Sequence, residues 1–224
     1  MKKIFLTVVV ALTAALAATP AFAQQAPTKA APGTETVFVV KDAKGKVQSY
    51  LKSVVDAVNE TDAMNYSVTT TVTMMGDDRQ PMMDPITTTA RVVNGQLDMS
   101  SMLPPMPPEA GKIKIEGTLP PVHPVTEVGQ EDAFNITTSA EKLPISFTIE
   151  GVNRVIARES VVVPAGTFEC FRNETEMTVK AMMMAQSMKT ISWSNDEVGS
   201  VKSETYNERG KLETVTELIS IKRP

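Results

Sequence analysis

The chain has 224 residues, with 22 basic side chains against 26 acidic ones, one histidine and one cysteine. That balance excludes a nucleic-acid binder, which needs a concentrated basic face. A lone cysteine excludes an internal disulfide framework, and one cysteine and one histidine far apart do not make a clustered zinc site.

In chain order, Lys2 and Lys3, the apolar run Ile4 to Ala18 and then Ala21-Phe22-Ala23 form the charged, apolar and A-x-A parts of a secretory signal peptide. The run is shorter than the roughly 20 residues of a spanning helix, so cleavage is expected in place of a retained anchor. No cysteine stands at the cleavage site, and the mature chain is expected to begin near Gln24 as a soluble periplasmic or secreted protein. Loss of two lysines then leaves 20 basic residues against 26 acidic ones, a net charge near −6. Residues 24–33, QQAPTKAAPG, read as a flexible leader. Residues 34–224 read as one domain, of a size that buries a core without covalent staples.

From Thr34 onward, turn signals recur between short β-branched runs, the pattern of an all-β domain built as an antiparallel meander. Asp42-Ala43-Lys44-Gly45 and Asn207-Glu208-Arg209-Gly210 each open on an Asx residue and close on glycine, a type I arrangement. Asn94-Gly95 predicts a type I′ hairpin. In VVVPAGTFECF, residues 161–171, Pro164 presets φ and Gly166 takes the left-handed position of a three-residue loop. Strand Asn153 to Val163 should therefore fold back on strand Thr167 to Val179.

Alternation supports half-buried strands in two places. Tyr66, Val68, Val72 and Met74 share one face against Ser67, Thr69, Thr71 and Thr73, and Ile145, Phe147 and Ile149 alternate with Ser146, Thr148 and Glu150. Lys211 to Ile221 has apolar residues on both faces, so it should bend or be covered on its second side. Lys46 to Asn59 fits helical spacing as well as a strand, and its β-branched content and preceding turn favour the strand. Leu103 to Glu109 and Leu119 to Val125 are proline-rich and read as loops.

No catalytic residue is assigned. His123 lies in the proline loop PPVHPV with no serine or cysteine placed to use it. Asp77-Asp78 and Glu174 with Glu176 read as a turn and the charged face of a strand. Cys170 shares a strand face with Phe168 and reads as a small packed hydrophobe, not a reactive thiol. Twelve of the thirteen mature methionines fall into three groups around positions 74–83, 99–106 and 177–188. Thioethers select Cu(I), but only Met99 and Met102 have M-x-x-M spacing, so apolar lining is the stronger reading and no metal or cofactor is assigned. Nine mature aromatics cannot furnish the two girdles of a membrane-spanning barrel.

The motif V-x-V-P-A-G-T-F-x-C at 161–170, Trp193, Val198-Gly199-Ser200-Val201-Lys202, Tyr206 to Lys211 and Thr216-Glu217-Leu218 resemble a family of exported proteins of Gram-negative bacteria. DAKGK from residue 42 and SMLPP at 101–105 extend the likeness loosely. The resemblance implies a β-barrel or half-barrel like the lipoprotein carriers, with a curved sheet around an apolar cavity, and it carries over no catalytic residues. On that reading Phe168, Phe171, Trp193, Met177, Met182 and Met184 are candidates for lining a ligand site. The function expected is non-enzymatic binding of a lipid or other apolar ligand or envelope component. A filled-core structural or interaction module and a methionine-based copper binder stand as alternatives.

Overall fold

Residue parity dominates the architecture, because a strand sends successive side chains to opposite faces and directly paired residues share a face. The computed structural model describes residues 31–98, 113–118, 127–140, 143–181 and 184–224. The strands are β1 (Glu35–Asp42), β2 (Val47–Asp62), β3 (Asn65–Met75), β4 (Ile86–Val93), β5 (Gln96–Asp98), β6 (Ile113–Thr118), β7 (Glu131–Ala140), β8 (Leu143–Val163), β9 (Gly166–Ala181), β10 (Met184–Asn195), β11 (Gly199–Asn207) and β12 (Leu212–Lys222). Among the described residues there is no helix.

All twelve strands form one antiparallel sheet in the order β5-β4-β3-β2-β1-β12-β11-β10-β9-β8-β7-β6. Every neighbour is a chain neighbour except β1 and β12, which join the first and last strands at the sheet's middle, with Val39 opposite Glu217. The edges β5 and β6 stand at opposite ends, so the sheet is open and the closed-barrel form of the expectation gives way to an open one. The expected signal peptide, residues 24–30 of the expected leader, both proline-rich stretches with His123, and Met99, Met102 and Met106 lie outside the described residues.

The turn chemistry acts as the sequence dictates. Asp42 and Asn207 each accept backbone N–H groups two and four residues on, while Gly45 and Gly210 adopt positive φ and bond back to the Asx carbonyl. Asn94 and Gly95 both take positive φ, as a type I′ turn requires. At the β8–β9 reversal Gly166 has φ +136°, but it already pairs with Val163, so Pro164 and Ala165 alone form the loop in place of three residues. The ambiguous segment 46–59 lies in β2, where the ladders to β1 and β3 satisfy the backbone on both sides.

The β8–β9 hairpin is the longest in the sheet, and its two ends bury opposite faces. Away from the turn Asn173, Thr175 and Met177 are buried, together with Phe147, Ile149, Asn153 and Val155 on β8. Near the turn the other parity is buried, Cys170 and Val163, while Arg158, Ser160, Val162, Thr167 and Glu169 are exposed. The exchange occurs where β8 carries an extra residue between Val155 and Ala157, a bulge that strengthens the local twist.

The turned-over tip packs on the middle of the sheet. Val163 and Cys170 join Val201 and Leu218 in one buried cluster, with Phe38, Val161, Ala165, Phe168, Trp193 and Val198 packed against it. The Ala165 amide donates to the Leu218 carbonyl at 3.2 Å. This cover, with the bulge opposite Val37 and Phe38, accounts for the apolar residues on both faces of β12. A smaller cluster of Val92 and Leu97 with Tyr66 and Ala90 closes the β5 end.

Cys170 is 1% exposed, and burial, reinforced by Glu169 and Glu159, pushes its thiol up to about 12. It is packing, as the sequence indicates. Because the folded thiol titrates above its unfolded value of about 8.5, its contribution to stability is complete below that pH and is lost as pH rises toward 12. Urea midpoints should therefore fall between about pH 9 and 11, less so in Cys170→Ala, and native protein should resist thiol reagents at pH 8 until unfolded. A second expectation concerns Gly151, where a Cβ would stand 2.5 Å from the Glu176 carbonyl oxygen and 2.6 Å from the Phe134 ring. Gly151→Ala should cost about 1–3 kcal/mol in urea unfolding.

Candidate functional site

The ladders sort the side chains of the sheet into two chemically distinct faces. On one, ion pairs cross from strand to strand: Lys52 with Glu35, Lys41 with Glu217, Lys189 with Glu174, Lys180 with Glu150, and Arg154 with Glu131 and Glu176. Lys202 pairs with Glu204 along β11 on the same face. This is the outer face. Glu174 and Glu176 are thus engaged in cross-strand pairs, which fits the charged-face reading.

Burial would raise the Glu204 carboxyl, but hydrogen bonds from Lys202 and Tyr206 and the nearby charges of Lys202 and Arg172 outweigh it and hold the group below its ordinary range. The same hydrogen bond, followed by burial, pushes the Tyr206 phenol up to about 12. Trp193 stands beside this network. Its indole N–H donates to Glu159, and the Lys202 ammonium lies 4.8 Å from its ring centre. Half-buried paired charges of this kind orient side chains without offering an unpaired acid or base.

The opposite face carries no charge from β5 to β8 outside the strand ends and the hairpin tip. Its inner positions on β1–β4 are mostly apolar: Phe38 and Val40 on β1, Leu51, Val55 and Val58 on β2, Val68, Val72 and Met74 on β3, and Ile86, Ala90 and Val92 on β4, with the uncharged Thr36, Ser49, Ser53, Thr70 and Thr88 between them. Most of these are only half-buried, and Ile86 is 43% exposed. The bulge at Asp56 keeps Val55 and Val58 on the same face despite their odd spacing.

Across β8–β12 the inner face changes character while staying uncharged. One row runs Thr214, Thr205, Thr190, Thr175 and Asn153 through consecutive strands. The adjacent row runs Thr216, Ser203, Ser192 and Asn173. The Thr175 hydroxyl donates to Asn153 Oδ1 at 2.9 Å, and Asn173 Nδ2 donates to Ser194 Oγ at 2.9 Å. Beyond them Phe147, Ile149, Ile136 and Met177 form an apolar end.

The six residues expected to line a site are distributed over this framework. Phe168 packs in the tip, Trp193 belongs to the outer face, and Met177 is buried on the inner face directly opposite Met188. Phe171 shares the parity of Met177 but meets the Arg158 guanidinium, 5.8 Å from its ring centre. Met184 begins β10 opposite Ala181, and Met182 lies outside the described residues. The structure brings Phe168 and Trp193 to the tip cluster and leaves Met177 apart from them. The apolar run on β1–β4 was missed as a site. Its signal was the alternation at 66–74 read together with Leu51 and Val58. Among the described residues, no cluster of three or more His, Cys, Asp or Glu side chains suits a metal ion, and no helix is long and apolar enough to cross a membrane.

No protein of curated function matches the chain in sequence. Two crystal structures share its fold. One is a candidate exported protein with a YmcC-like fold from Bacteroides fragilis, 19% identical, covering 87% of this chain and 98% of its own, at a TM-score of 0.60. The other is a candidate lipoprotein from Parabacteroides distasonis, also 19% identical, covering 88% and 98%, at a TM-score of 0.62. A family model matches residues 31–218, covering the sheet from β1 into the buried end of β12, and the chain belongs to the DUF3108-like family.

Proposed function

We propose that this is an exported, non-enzymatic binding protein of the bacterial envelope, which holds a lipid or the acyl part of an envelope component against the inner face of β1–β4. The observation that carries the reading is the separation of charge: the ion pairs lie on the outer face, while an uncharged, mostly apolar surface from Val40 through Leu51, Val68 and Val72, with Ser49, Ser53 and Thr70 among them, stays half-open. A face of that size without charge is costly to leave in water and suits an apolar occupant. The secretory pattern of residues 1–23 and the descriptions of the two fold relatives support an envelope location. In this reading residues 34–224 act as one unit, Phe168 packs in the hairpin tip, and Met177 belongs to the inner lining.

A second reading, a structural module with a filled core, has its own support in the tip, because Val163, Cys170, Val201 and Leu218 already form a closed buried cluster there. The two separate in one experiment. A Met74→Trp reporter on the inner face should be quenched by brominated fatty acyl chains while Trp193 emission changes little, and solvent extraction of the purified protein should release lipid. Val68→Asp, which sets a carboxylate against the ligand, should weaken binding at least about tenfold. No quenching and no extracted lipid would leave the filled-core module as the function.

A further inference from the structure

The hydroxyl rows of β8–β12 have no role in holding an acyl chain, and one atom among them is left over. Asn173 is 0% exposed, and its amide nitrogen is used on Ser194 and the Phe171 carbonyl. Its Oδ1, among the described residues, finds no donor. Buried acceptors are paired in folded proteins, so a lone carbonyl oxygen within an uncharged polar surface marks a place that a donor is meant to fill.

The surrounding chemistry specifies that donor. Ser192, Ser203 and Thr216 continue the Asn173 row toward β12, and Thr175, Thr190, Thr205 and Thr214 lie beside it. Ser203, Thr205, Thr190, Thr214 and Thr216 are half-buried, not sealed, so the rows open toward β12 and deepen toward Asn173. Between Asp42 and Asp132, which pair with its two ends, the first row carries no charge, and the second carries none, so a carboxylate or phosphate would be stripped of water with nothing to compensate its charge. The two flanking carboxylates already accept from the Lys44 and Lys46 amides and from Gln130, so an ammonium gains little there. Hydroxyl groups, each a donor and an acceptor, match both the threonine and serine side chains and the free amide oxygen.

The rows adjoin the apolar run directly: Val40 on β1 faces Thr216 on β12. Four strand spacings separate β3 from β11, roughly 19 Å at about 4.8 Å each, which is within reach of a long acyl chain with its headgroup. We infer that the ligand is a single amphiphile with a neutral, hydroxyl-bearing headgroup, seated with its polar end on the Ser/Thr/Asn rows and its tail on β1–β4. This rests on the binding reading above and specifies the chemical class of its ligand.

The test uses the full mature chain and four probes of one acyl length: a monoacylglycerol, the corresponding methyl ester, the free fatty acid and an alkyl trimethylammonium. Binding is read by competition against a brominated acyl chain at the Met74→Trp reporter. The monoacylglycerol should bind about tenfold or more tighter than the ester, the margin of one or two well-placed hydrogen bonds, and both charged probes should be weaker than it. In Thr190→Val with Thr205→Val, which keep side-chain shape and remove the hydroxyls, that margin should collapse while ester affinity stays unchanged. Equal affinity for monoacylglycerol and ester, or preference for a charged probe, overturns the headgroup inference and leaves the apolar-ligand reading standing. A margin that survives both valine substitutions also overturns it. Absence of binding by all four overturns both. Should the double variant fail to fold, the wild-type probe series decides alone.

Discussion

Strand parity, set by the register of eleven antiparallel ladders, is the constraint on which the rest of this molecule depends. A slip of one residue in any pairing would carry lysines and glutamates to the inner face and valines to the outer. The inward bonds of the sheet are nonspecific, but the outer charges are not: Lys41 reaches Glu217 and Lys189 reaches Glu174 only in the observed registers. Each exposed pair stabilises little, of order 1 kcal/mol or less. Their value lies in making wrong registers place like charges opposite each other. With no helix or second sheet among the described residues to cover either side, register is what distinguishes inside from outside.

The hairpin tip is the one place where parity is deliberately reversed. Beyond the bulge at Ile156 the strands present to the core the face that elsewhere meets solvent, and the residues so turned are Val161, Val163, Phe168 and Cys170. This explains why the segment is so apolar on one parity and why Val162, at 77% exposure, tolerates water on the other. The sheet thereby supplies part of its own cover, and Leu218 and Val201 become fully buried without a second layer.

Much of this was legible in the residues. Glycine and Asx positions located the reversals at Gly45, Gly95, Gly166 and Gly210, since each needs a backbone conformation that few residues adopt. The packed character of Cys170 followed from its place two residues from Phe168. The inner face was harder to read because its continuity depends on bulges at Asp56 and Ile156, and a bulge leaves no compositional mark. Period-2 reading therefore fails at Leu51, Val55 and Val58, whose common face is visible only once the partner strand is known. Trp193 shows how an aromatic with a polar edge divides its contacts: its ring packs against the tip cluster while its indole N–H donates to Glu159.

The seam between β1 and β12 has a consequence for biogenesis. The partner of the first strand is the last to be synthesised, so neither half of the sheet can be joined until the whole polypeptide is available. Loop-closure entropy over nearly the full chain must be met before that pairing is rewarded, which makes assembly slow and leaves a nascent precursor pliable. Joining its two ends last postpones completion of the sheet until synthesis is over.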